Sequence, residues 1–311
     1  MTSASALSHL RAESASATML EFLRTPRSGQ VIATFARSCY LALDGQIVAL
    51  VSAELHNGPL NLVVTPAPPF GRLSIGAPAS SNAHHVHVAD AWDIVLDGAT
   101  AWDPVLDGID RTAHDALHNH LRALTDLIAA EAPADGLARV SVKRAGPVLT
   151  PLERSASLGL ADLSRGLAQA DRSQVARGAH TLAGLGPGLT PSGDDALVGC
   201  LLALAALPDV DGASVREAIA FGARHRTTQI STAYLDAAAR GEASEAWHRL
   251  VAAMSTPDPE RVVGAARQVL AVGETSGSDM LGGFVLASRA LLGAPTHTAA
   301  FVHPTRVLRA R

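Results

Sequence analysis

The sequence predicts an α+β fold, with a mostly β N-terminal domain followed by a mainly α-helical C-terminal domain. Short segments in which apolar and polar residues alternate, separated by turn residues, fill the first ~110 residues. From Leu152 onward, apolar residues instead recur at helical spacing in almost every segment. The chain has 311 residues, 48% of them hydrophobic, so it can bury a core large enough for one large or two ordinary domains.

The strands expected in the N-terminal part are short, and Gly, Pro or Asp residues separate them. Asp44-Gly45 predicts a two-residue hairpin turn between two of these strands. Residues 66–69 and 71–78 interrupt the pattern because they are rich in Pro and Gly. The expected strands cover residues 30–36, 40–43, 46–52, 60–65, 86–89 and 94–96.

One amphipathic helix is expected over residues 110–130, and a short strand over residues 138–143. Gly146-Pro147 marks the predicted boundary between a mostly β domain with one helix, residues 1–146, and a helical domain, residues 147–311. The other helices are expected at residues 158–170, 173–182, 196–207, 214–221, 228–240, 244–254, 259–269 and 284–292.

Composition argues against several classes of partner. The formal net charge is −4 and aromatic residues make up 4% of the chain, so neither a basic surface nor a stacking platform for nucleic acid is expected. Cys39 and Cys200 lack the paired spacing of disulfide frameworks or zinc sites, and a reducing cytosol is the simplest compartment.

Membrane and export signals are also missing from the sequence. The longest uncharged apolar run, residues 196–207, is shorter than the ~20 residues of a membrane span. Residues 1–24 lack the apolar core of a signal peptide. The sequence therefore predicts a cytoplasmic protein that binds neither nucleic acid nor membrane.

The most informative segment is residues 184–199, where a glycine-rich loop leads into an apolar helix. Gly184, Gly186 and Gly188 allow the backbone to come close to a ligand above the helix end. Thr190 is the expected N-cap and Pro191 the first helical residue. These features predict a helix N-terminus prepared for binding.

The first turn of this helix suggests an anion site, with a complication. The backbone N–H groups of Ser192, Gly193 and Asp194 are expected to be free to face a ligand. Asp194 and Asp195 are favourable near a helix N-terminus, yet they would repel a phosphate unless a metal ion or an arginine lies between. The alternative is a well-capped buried helix with acidic first-turn residues.

The pattern Ser-Gly-x-Asp-x-Leu-x-Gly occurs twice, at residues 192–199 and 276–283. Each copy, called a motif below, has a Thr just upstream and an apolar helix downstream. We therefore predict two helix N-termini that face one cavity, with Asp195 close to Asp279. Successive helical side chains diverge by about 100°, so Asp195 is expected to face the cavity and Asp194 to cap or pair elsewhere.

These segments resemble the AllH-like subunit of oxamate carbamoyltransferase, a family long catalogued as a domain of unknown function. The resemblance rests on residues 186–195, 228–241 and 275–282, and more weakly on residues 98–104. It implies a part in purine-nitrogen catabolism, where a multi-subunit enzyme converts oxalurate and phosphate to oxamate and carbamoyl phosphate. Glu274 departs from the family pattern, which favours a His before the Thr.

Asp195, Asp279 and His180 are the candidate catalytic residues. An anionic substrate also needs cations, and Arg224 and Arg226 provide them at the start of a predicted helix. Structural alternatives stay open, because a histidine is favourable at a helix C-terminus and the arginines fit a surface turn. The candidate substrate-binding residues are Gly186, Gly188, Thr190, Ser192, Gly193, Arg224, Arg226, Thr275, Ser276 and Gly277.

Thirteen histidines invite metal hypotheses. His114, His118 and His120 lie on the predicted amphipathic helix, but no His-Glu-x-x-His pattern accompanies them, so a solvated helix face is favoured. The histidines of residues 84–87 lie in a Ser- and Asn-rich loop and are expected at the surface.

A ten-residue duplication repeats Trp-Asp-x-Val-Leu-Asp-Gly at residues 92–98 and 102–108. A functional interpretation makes Trp102 and Asp103 a wall of the binding pocket. Two turns that arose by local duplication explain the repeat equally well.

Three functional classes remain. In the first, the chain is a subunit of a carbamoyltransferase complex and binds a small anion, and no cofactor is needed. In the second, Asp194, Asp195 and Asp279 bind Mg²⁺ in a helical hydrolase. In the third, the chain is a non-catalytic scaffolding subunit.

Overall fold

The computed structural model describes residues 8–110, 114–142, 150–207 and 212–293, without the side chains of residues 114 and 115. Within these ranges, nine strands, one α-helix and two short 3-10 helices form the N-terminal part, and ten α-helices follow. The predicted α+β class, with a β part followed by a helical part, is therefore confirmed. The predicted boundary at Gly146-Pro147 lies outside the described residues.

The strands of the N-terminal part form one sheet, and helix α1 (Ala17–Arg24) lies between its first two strands. The strands are β1 (Ser8–Ser16), β2 (Arg27–Thr34), β3 (Ser38–Leu43), β4 (Gln46–Ser52), β5 (Asn61–Thr65), β6 (Pro78–Ser81), β7 (His85–Val88), β8 (Trp92–Val95) and β9 (Thr100–Trp102).

Strand β1 closes the sheet on itself. The strand order is β5-β4-β3-β2-β6-β7-β8-β1-β9, and β1 also pairs antiparallel with β5. On its other side, β1 runs parallel to β8 and then to β9. Strand β1 was not predicted from the sequence, because its polar residues outnumber the buried Leu10, Ala12 and Ala15.

The hairpin between β3 and β4 has the geometry that its sequence predicts. Asp44 has a φ of 44° and Gly45 a φ of 86°, the positive values that a two-residue type I′ turn requires. Residues 38–43 pair with residues 46–51 in register across this turn. The turn therefore fixes the register in which β3 and β4 pair.

The closed sheet buries apolar side chains on both faces. One cluster joins Leu41, Leu50 and other strand residues to Leu20 and Leu23 of α1. A second cluster, on the opposite face, contains Val51 and contacts the helical part. The strand register therefore decides which β3 and β4 side chains face the helices.

The helical part begins with α2 (His114–Glu131) and α3 (Ala138–Val142). The strand predicted at residues 138–143 is wrong, because residues 138–142 form α3. A segment of five residues is too short for periodicity to separate a strand from a helix. The remaining helices are α4 (Pro151–Gln169), α5 (Arg172–Leu182), α6 (Ser192–Ala206), α7 (Ala213–Ala223), α8 (Gln229–Ala239), α9 (Glu245–Met254), α10 (Pro259–Leu270) and α11 (Ser276–Gly293).

Helix α4 begins earlier than predicted. Thr150 accepts a hydrogen bond from the Glu153 backbone, and the Glu153 side chain accepts one from the Thr150 backbone. This capping box was visible in the sequence as Thr-Pro-Leu-Glu, with Pro151 at the first helical position.

Helix α6 lies at the centre of the helical core, and all its residues except Ala205 are buried. The helical core also includes residues of α2 and α3, whereas the core of the closed sheet extends only as far as Leu96. The division of the chain at residues 146 and 147 remains a prediction. Within the described ranges, no helix combines the length and apolar character that crossing a membrane requires.

Candidate functional site

Helices α6 and α11 carry the two motifs and cross at the last glycine of each. A Cβ atom on Gly199 would lie 1.8 Å from the Met280 carbonyl oxygen, and one on Gly283 would lie 2.0 Å from the Ala196 carbonyl oxygen. The two contacts are reciprocal, because Ala196 and Met280 occupy the same position of the motif. Glycine at these two positions is therefore required by close packing of the two backbones.

The similarity between the two halves extends to the helices that precede the motifs. The Gly193 N–H donates to the Leu185 carbonyl at 2.8 Å, and the Gly277 N–H donates to the Val272 carbonyl at 2.9 Å. Each motif thus begins against the turn that ends the preceding helix, α5 or α10. The structure contains two similar helical hairpins, α5–α6 and α10–α11, a repeat larger than the sequence pattern indicated.

These contacts overturn part of the predicted anion site. The Gly193 N–H is occupied by Leu185, and the Asp194 N–H donates to the Pro191 carbonyl at 2.9 Å. Pro191, not Thr190, is the N-cap residue of α6. The Thr190 hydroxyl instead pairs with the Ser276 hydroxyl at 3.1 Å, which links the two motifs.

The structure brings Asp195 and Asp279 together in the interior. Their exposed fractions are 4% and 0%. Each interacts with a serine of the other motif, Asp195 with Ser276 and Asp279 with Ser192. Burial raises the pKa of both carboxyls, and the charges of Asp279 and Asp194 raise that of Asp195 further. Such carboxyls hold a proton at a higher pH than exposed ones do.

Asp279 also caps the short helix α3. The backbone N–H groups of Leu137 and Ala138 donate to Asp279 Oδ1 at 2.6 and 2.8 Å. A Cβ atom on Gly136 would lie 2.7 Å from the same oxygen, so the close approach depends on glycine. Thr275, expected to bind substrate, accepts the Asp279 N–H at its carbonyl oxygen, 2.9 Å away.

Two tyrosines near Asp195 join the sheet to the helices. The hydroxyls of Tyr40 on β3 and Tyr234 on α8 are 3.2 Å apart. Burial is the main cause that raises the pKa of both hydroxyls, and the charge of Asp195 raises both further. Sequence reasoning did not select them, although they are the only tyrosines in the chain and Tyr234 lies within the segment 228–241.

Asp194 points to different partners, as the divergence of adjacent helical side chains predicts. Its carboxyl accepts the Gly184 N–H at 2.9 Å and makes a short hydrogen bond with the Thr227 hydroxyl. Burial raises its pKa, whereas these hydrogen bonds lower it. Asp194 therefore holds the start of the glycine loop against the segment that precedes α8.

The glycine loop contacts the start of α8, and α8 in turn contacts the β3–β4 hairpin. Gly184, Gly186 and Gly188 have φ values of 72°, 120° and 92°, a region that side chains disfavour. The Thr228 hydroxyl donates to the Leu189 carbonyl at 2.6 Å, and the Gln229 amide to the Gly45 carbonyl at 3.4 Å. The loop, the start of α8 and the β3–β4 hairpin thus meet at one edge of the molecule.

The predicted cations lie on the exposed side of this edge. Arg224 and Arg226 are exposed, and the Arg226 guanidinium donates to the His180 carbonyl at 3.1 Å. His180 lines an open groove with Arg177, Phe221 and other residues of α4, α5 and α7. Within the described residues, no hydrogen bond or ion pair joins the His180 ring to Asp195 or Asp279. Glu274 is exposed before α11.

No metal site emerges from the described part of the chain. It contains no group of three or more His, Cys, Asp or Glu side chains placed to hold one ion. Asp194 turns toward Gly184 and Thr227 while Asp195 faces Ser276, so the three aspartates of the magnesium hypothesis do not converge.

The other histidine predictions have mixed outcomes. His120 is completely buried, so its assignment to a solvated helix face is wrong, and burial lowers its pKa. The side chain of His114 lies outside the described residues. His85 and His87 lie on β7 with partly exposed rings, and both contact Asp93.

The two tryptophans of the duplication have different surroundings. Trp92 is buried, and its ring packs edge-on against Phe70. Trp102 lies against His248 of α9, with ring centroids 5.1 Å apart. Asp103 accepts the Val105 N–H at 2.9 Å, as in a local turn.

Comparison with known families gives two matches. Residues 182–288 match the family model described as "Oxamate carbamoyltransferase subunit AllH", and this range contains both motifs. Residues 9–101 match the model described as "AllH family N-terminal domain", which spans nearly all of the closed sheet. Together the two models cover more than half of the chain. No solved structure matches it.

Proposed function

The chain belongs to the AllH family, and from this membership we propose that it is a subunit of an oxamate carbamoyltransferase-like enzyme that binds a small anionic substrate. The substrate class comprises oxamate or oxalurate, carbamoyl phosphate and phosphate. The binding region is the edge formed by the glycine loop, the paired motifs and residues 224–226, called the basic segment below. The other subunits of the complex are the protein partners.

The observation that carries this proposal is the pairing of the two motifs. The reciprocal glycine contacts and the Thr190–Ser276 hydroxyl pair bring two buried carboxyls next to the glycine loop. Packing alone accounts for the glycines, but it does not require two buried aspartates. Buried carboxyls with raised pKa are typical of sites that exchange protons or bind ligands.

The chemistry of the reaction fits such a group. When carbamoyl phosphate forms from oxalurate, a phosphate oxygen attacks the carbamoyl carbon, the C–N bond breaks and the oxamate nitrogen takes up one proton. Because burial raises the pKa of Asp195, this carboxyl keeps its proton to higher pH than an exposed aspartate and is suited to donate it to the leaving nitrogen. Arg224 and Arg226 neutralise the anionic ends of the substrate.

Calorimetric titration of the full chain with oxamate, carbamoyl phosphate, phosphate and Mg²⁺ tests this function. We expect the anions to bind, and the double change Arg224→Ala with Arg226→Ala to weaken their binding by about 1.5–3 kcal/mol, the range for hydrogen bonds to charged groups. Arg122→Ala removes an exposed arginine on α2 and should leave binding unchanged. Unchanged affinity in the double variant would assign the basic segment to the surface.

Elemental analysis of protein purified without chelator tests the hydrolase alternative. Stoichiometric magnesium, manganese or zinc that is lost on Asp195→Asn would favour a metal-dependent reaction over the proposal.

A scaffolding role is the second candidate, and one observation favours it. The motif glycines lie against carbonyl oxygens, and the Gly193 and Gly277 N–H groups are bonded within the chain. If no ligand of the series binds while the chain still assembles with the other subunits, the scaffold is the better interpretation.

A further inference from the structure

The two hairpins differ at one point of chemical interest. Over Asp279, the N-terminus of α3 supplies two backbone N–H donors, at 2.6 and 2.8 Å from Oδ1. Asp195 occupies the same position of its motif, yet no hydrogen bond among the described residues joins an N–H group to its carboxyl. Asp279 therefore shows that a carboxyl at this position of the motif can accept N–H donors.

The carboxyl of Asp195 is left incomplete by its surroundings. Its Oδ2 atom, like that of Asp279, is buried and has no hydrogen-bond partner among the described residues. Asp279 Oδ1, however, already accepts two N–H groups, whereas within the same residues the Asp195 carboxyl accepts none. The exposed fraction of the residue is 4%, so bulk water does not replace the missing donor. A buried polar atom without a partner costs free energy unless a ligand or a partner completes it.

The tyrosine pair provides the complementary group. Tyr40 and Tyr234 lie near Asp195, and each hydroxyl both donates and accepts, so the pair can donate one hydrogen bond outward. Tyr40 comes from the closed sheet and Tyr234 from α8. The Asp195 carboxyl is thus a hydrogen-bond acceptor, and the tyrosine pair near it is a hydrogen-bond donor.

We propose that Asp195 Oδ2 and the Tyr40–Tyr234 hydroxyl pair bind the primary amide end of the substrate. This inference rests on the proposed function and assigns three residues to one end of the ligand. The ligand NH₂ donates to Asp195, as the α3 backbone does to Asp279, and the ligand carbonyl accepts from the tyrosine pair. Because an anionic group is costly to bury without a positive partner, the carboxylate or phosphate end lies toward the glycine loop and Arg224.

Methyl isosteres test the amide contact. Pyruvate replaces the NH₂ of oxamate with CH₃ at similar size and charge, and acetyl phosphate does the same for carbamoyl phosphate. In calorimetry with the full chain, we expect each amide to bind at least about tenfold more tightly than its isostere, because the isostere leaves Asp195 Oδ2 without a donor. Equal binding of both members of a pair would overturn the inference and leave the proposed function standing.

Substitutions test separately the contact of the ligand NH₂ with Asp195 and the contact of the ligand carbonyl with the tyrosine pair. Asp195→Ala should abolish the preference for the amide over its isostere. Tyr40→Phe and Tyr234→Phe should weaken the binding of the amide and of its isostere by a similar factor, because both ligands contain the same carbonyl. The preference for the amide should therefore remain. Asp93→Ala is the matched control, since this buried carboxyl lies on β8, is bonded to His85 and has no part in the site, and it should keep the preference. A preference retained in Asp195→Ala would overturn the assignment.

A measurement on the unaltered chain covers the case in which Asp195→Ala fails to fold. Bound ¹⁵N-labelled oxamate or carbamoyl phosphate should show one amide proton that exchanges slowly with solvent. Two fast-exchanging amide protons in the bound ligand would contradict the contact. If neither amide binds, the proposed function and this inference both fail.

Discussion

At the residue scale, the buried carboxyl of Asp195 makes folding depend on pH. Burial raises its pKa in the folded state, so the folded chain binds the proton more tightly than the unfolded chain does. The stability contribution is fully present below the pKa of the unfolded state and is lost as pH rises through the raised folded value. The contribution of Asp195 to the free energy of unfolding should therefore decrease as pH rises above the ordinary pKa of aspartate.

Asp195→Asn tests this linkage because it removes the titration and keeps the size of the side chain. Urea unfolding from pH 5 to pH 8 should show a smaller loss of unfolding free energy in the variant than in the unaltered chain. Asp126→Asn, at an exposed site on α2, should follow the unaltered chain. Parallel curves for Asp195→Asn and the unaltered chain would show that Asp195 stays ionised.

Some residue-scale features could be predicted from sequence and others could not. The divergence of Asp194 from Asp195 follows from helix geometry alone. The Tyr40–Tyr234 contact joins residues 194 positions apart, and no local pattern marks such a pair. Two of the N–H groups predicted to be free were mispredicted, because Gly193 donates to Leu185 in the turn after α5 and Asp194 donates to Pro191.

At the scale of elements, the crossing of α6 and α11 depends on glycine. Gly199→Ala places a Cβ atom 1.8 Å from a backbone oxygen, so the helices must separate. We expect a loss of about 1–3 kcal/mol or more in unfolding free energy, as for an overpacked core. Denaturant unfolding measures it.

Gly264→Ala is the matched control for this prediction. Gly264 lies on α10, and a Cβ atom there meets nothing within 4 Å. The change should stabilise the chain by about 0.5–1 kcal/mol, because alanine favours helix. Equal effects of the two substitutions would refute the close crossing.

The elements that the sequence predicted well are those with strong local signals. Asp44-Gly45 and the alternation in β3 and β4 specify a hairpin by themselves. Strand β1 has no such signal, because its partners lie at residues 61–65 and 92–102, far along the chain. Helix α3 is held by Asp279, which lies 141 residues from Ala138.

At the scale of the whole molecule, Asn57 and Glu245 fasten the sheet to the helical part. The Asn57 backbone and side chain donate to the Glu245 carboxyl at 3.4 and 3.3 Å, and the Glu245 N–H donates back at 3.0 Å. Although burial acts to raise the pKa of Glu245, the Asn57 donors and Arg249 lower it overall. The junction is therefore strongest when Glu245 is ionised.

Glu245→Gln should weaken this junction by about 1 kcal/mol near neutral pH, the usual net value of a hydrogen bond. Because the folded pKa is lowered, the stabilisation is present above the unfolded value and is lost as pH falls through the folded one. The difference between the variant and the unaltered chain should therefore shrink at acidic pH. Thermal unfolding at pH 7 and pH 4 measures it, and a constant difference would contradict the expectation.

The paired hairpins have the geometry of a two-fold dimer within one polypeptide. Each presents the same patch to the other, with Gly199 against Met280 and Gly283 against Ala196, as in an isologous interface. A chain with a single hairpin would have to bind a second copy of itself to bury that patch, whereas here one polypeptide supplies both copies. Two copies within one polypeptide need not have identical surroundings, so Asp279 accepts the N–H groups of α3 while Asp195 faces Ser276.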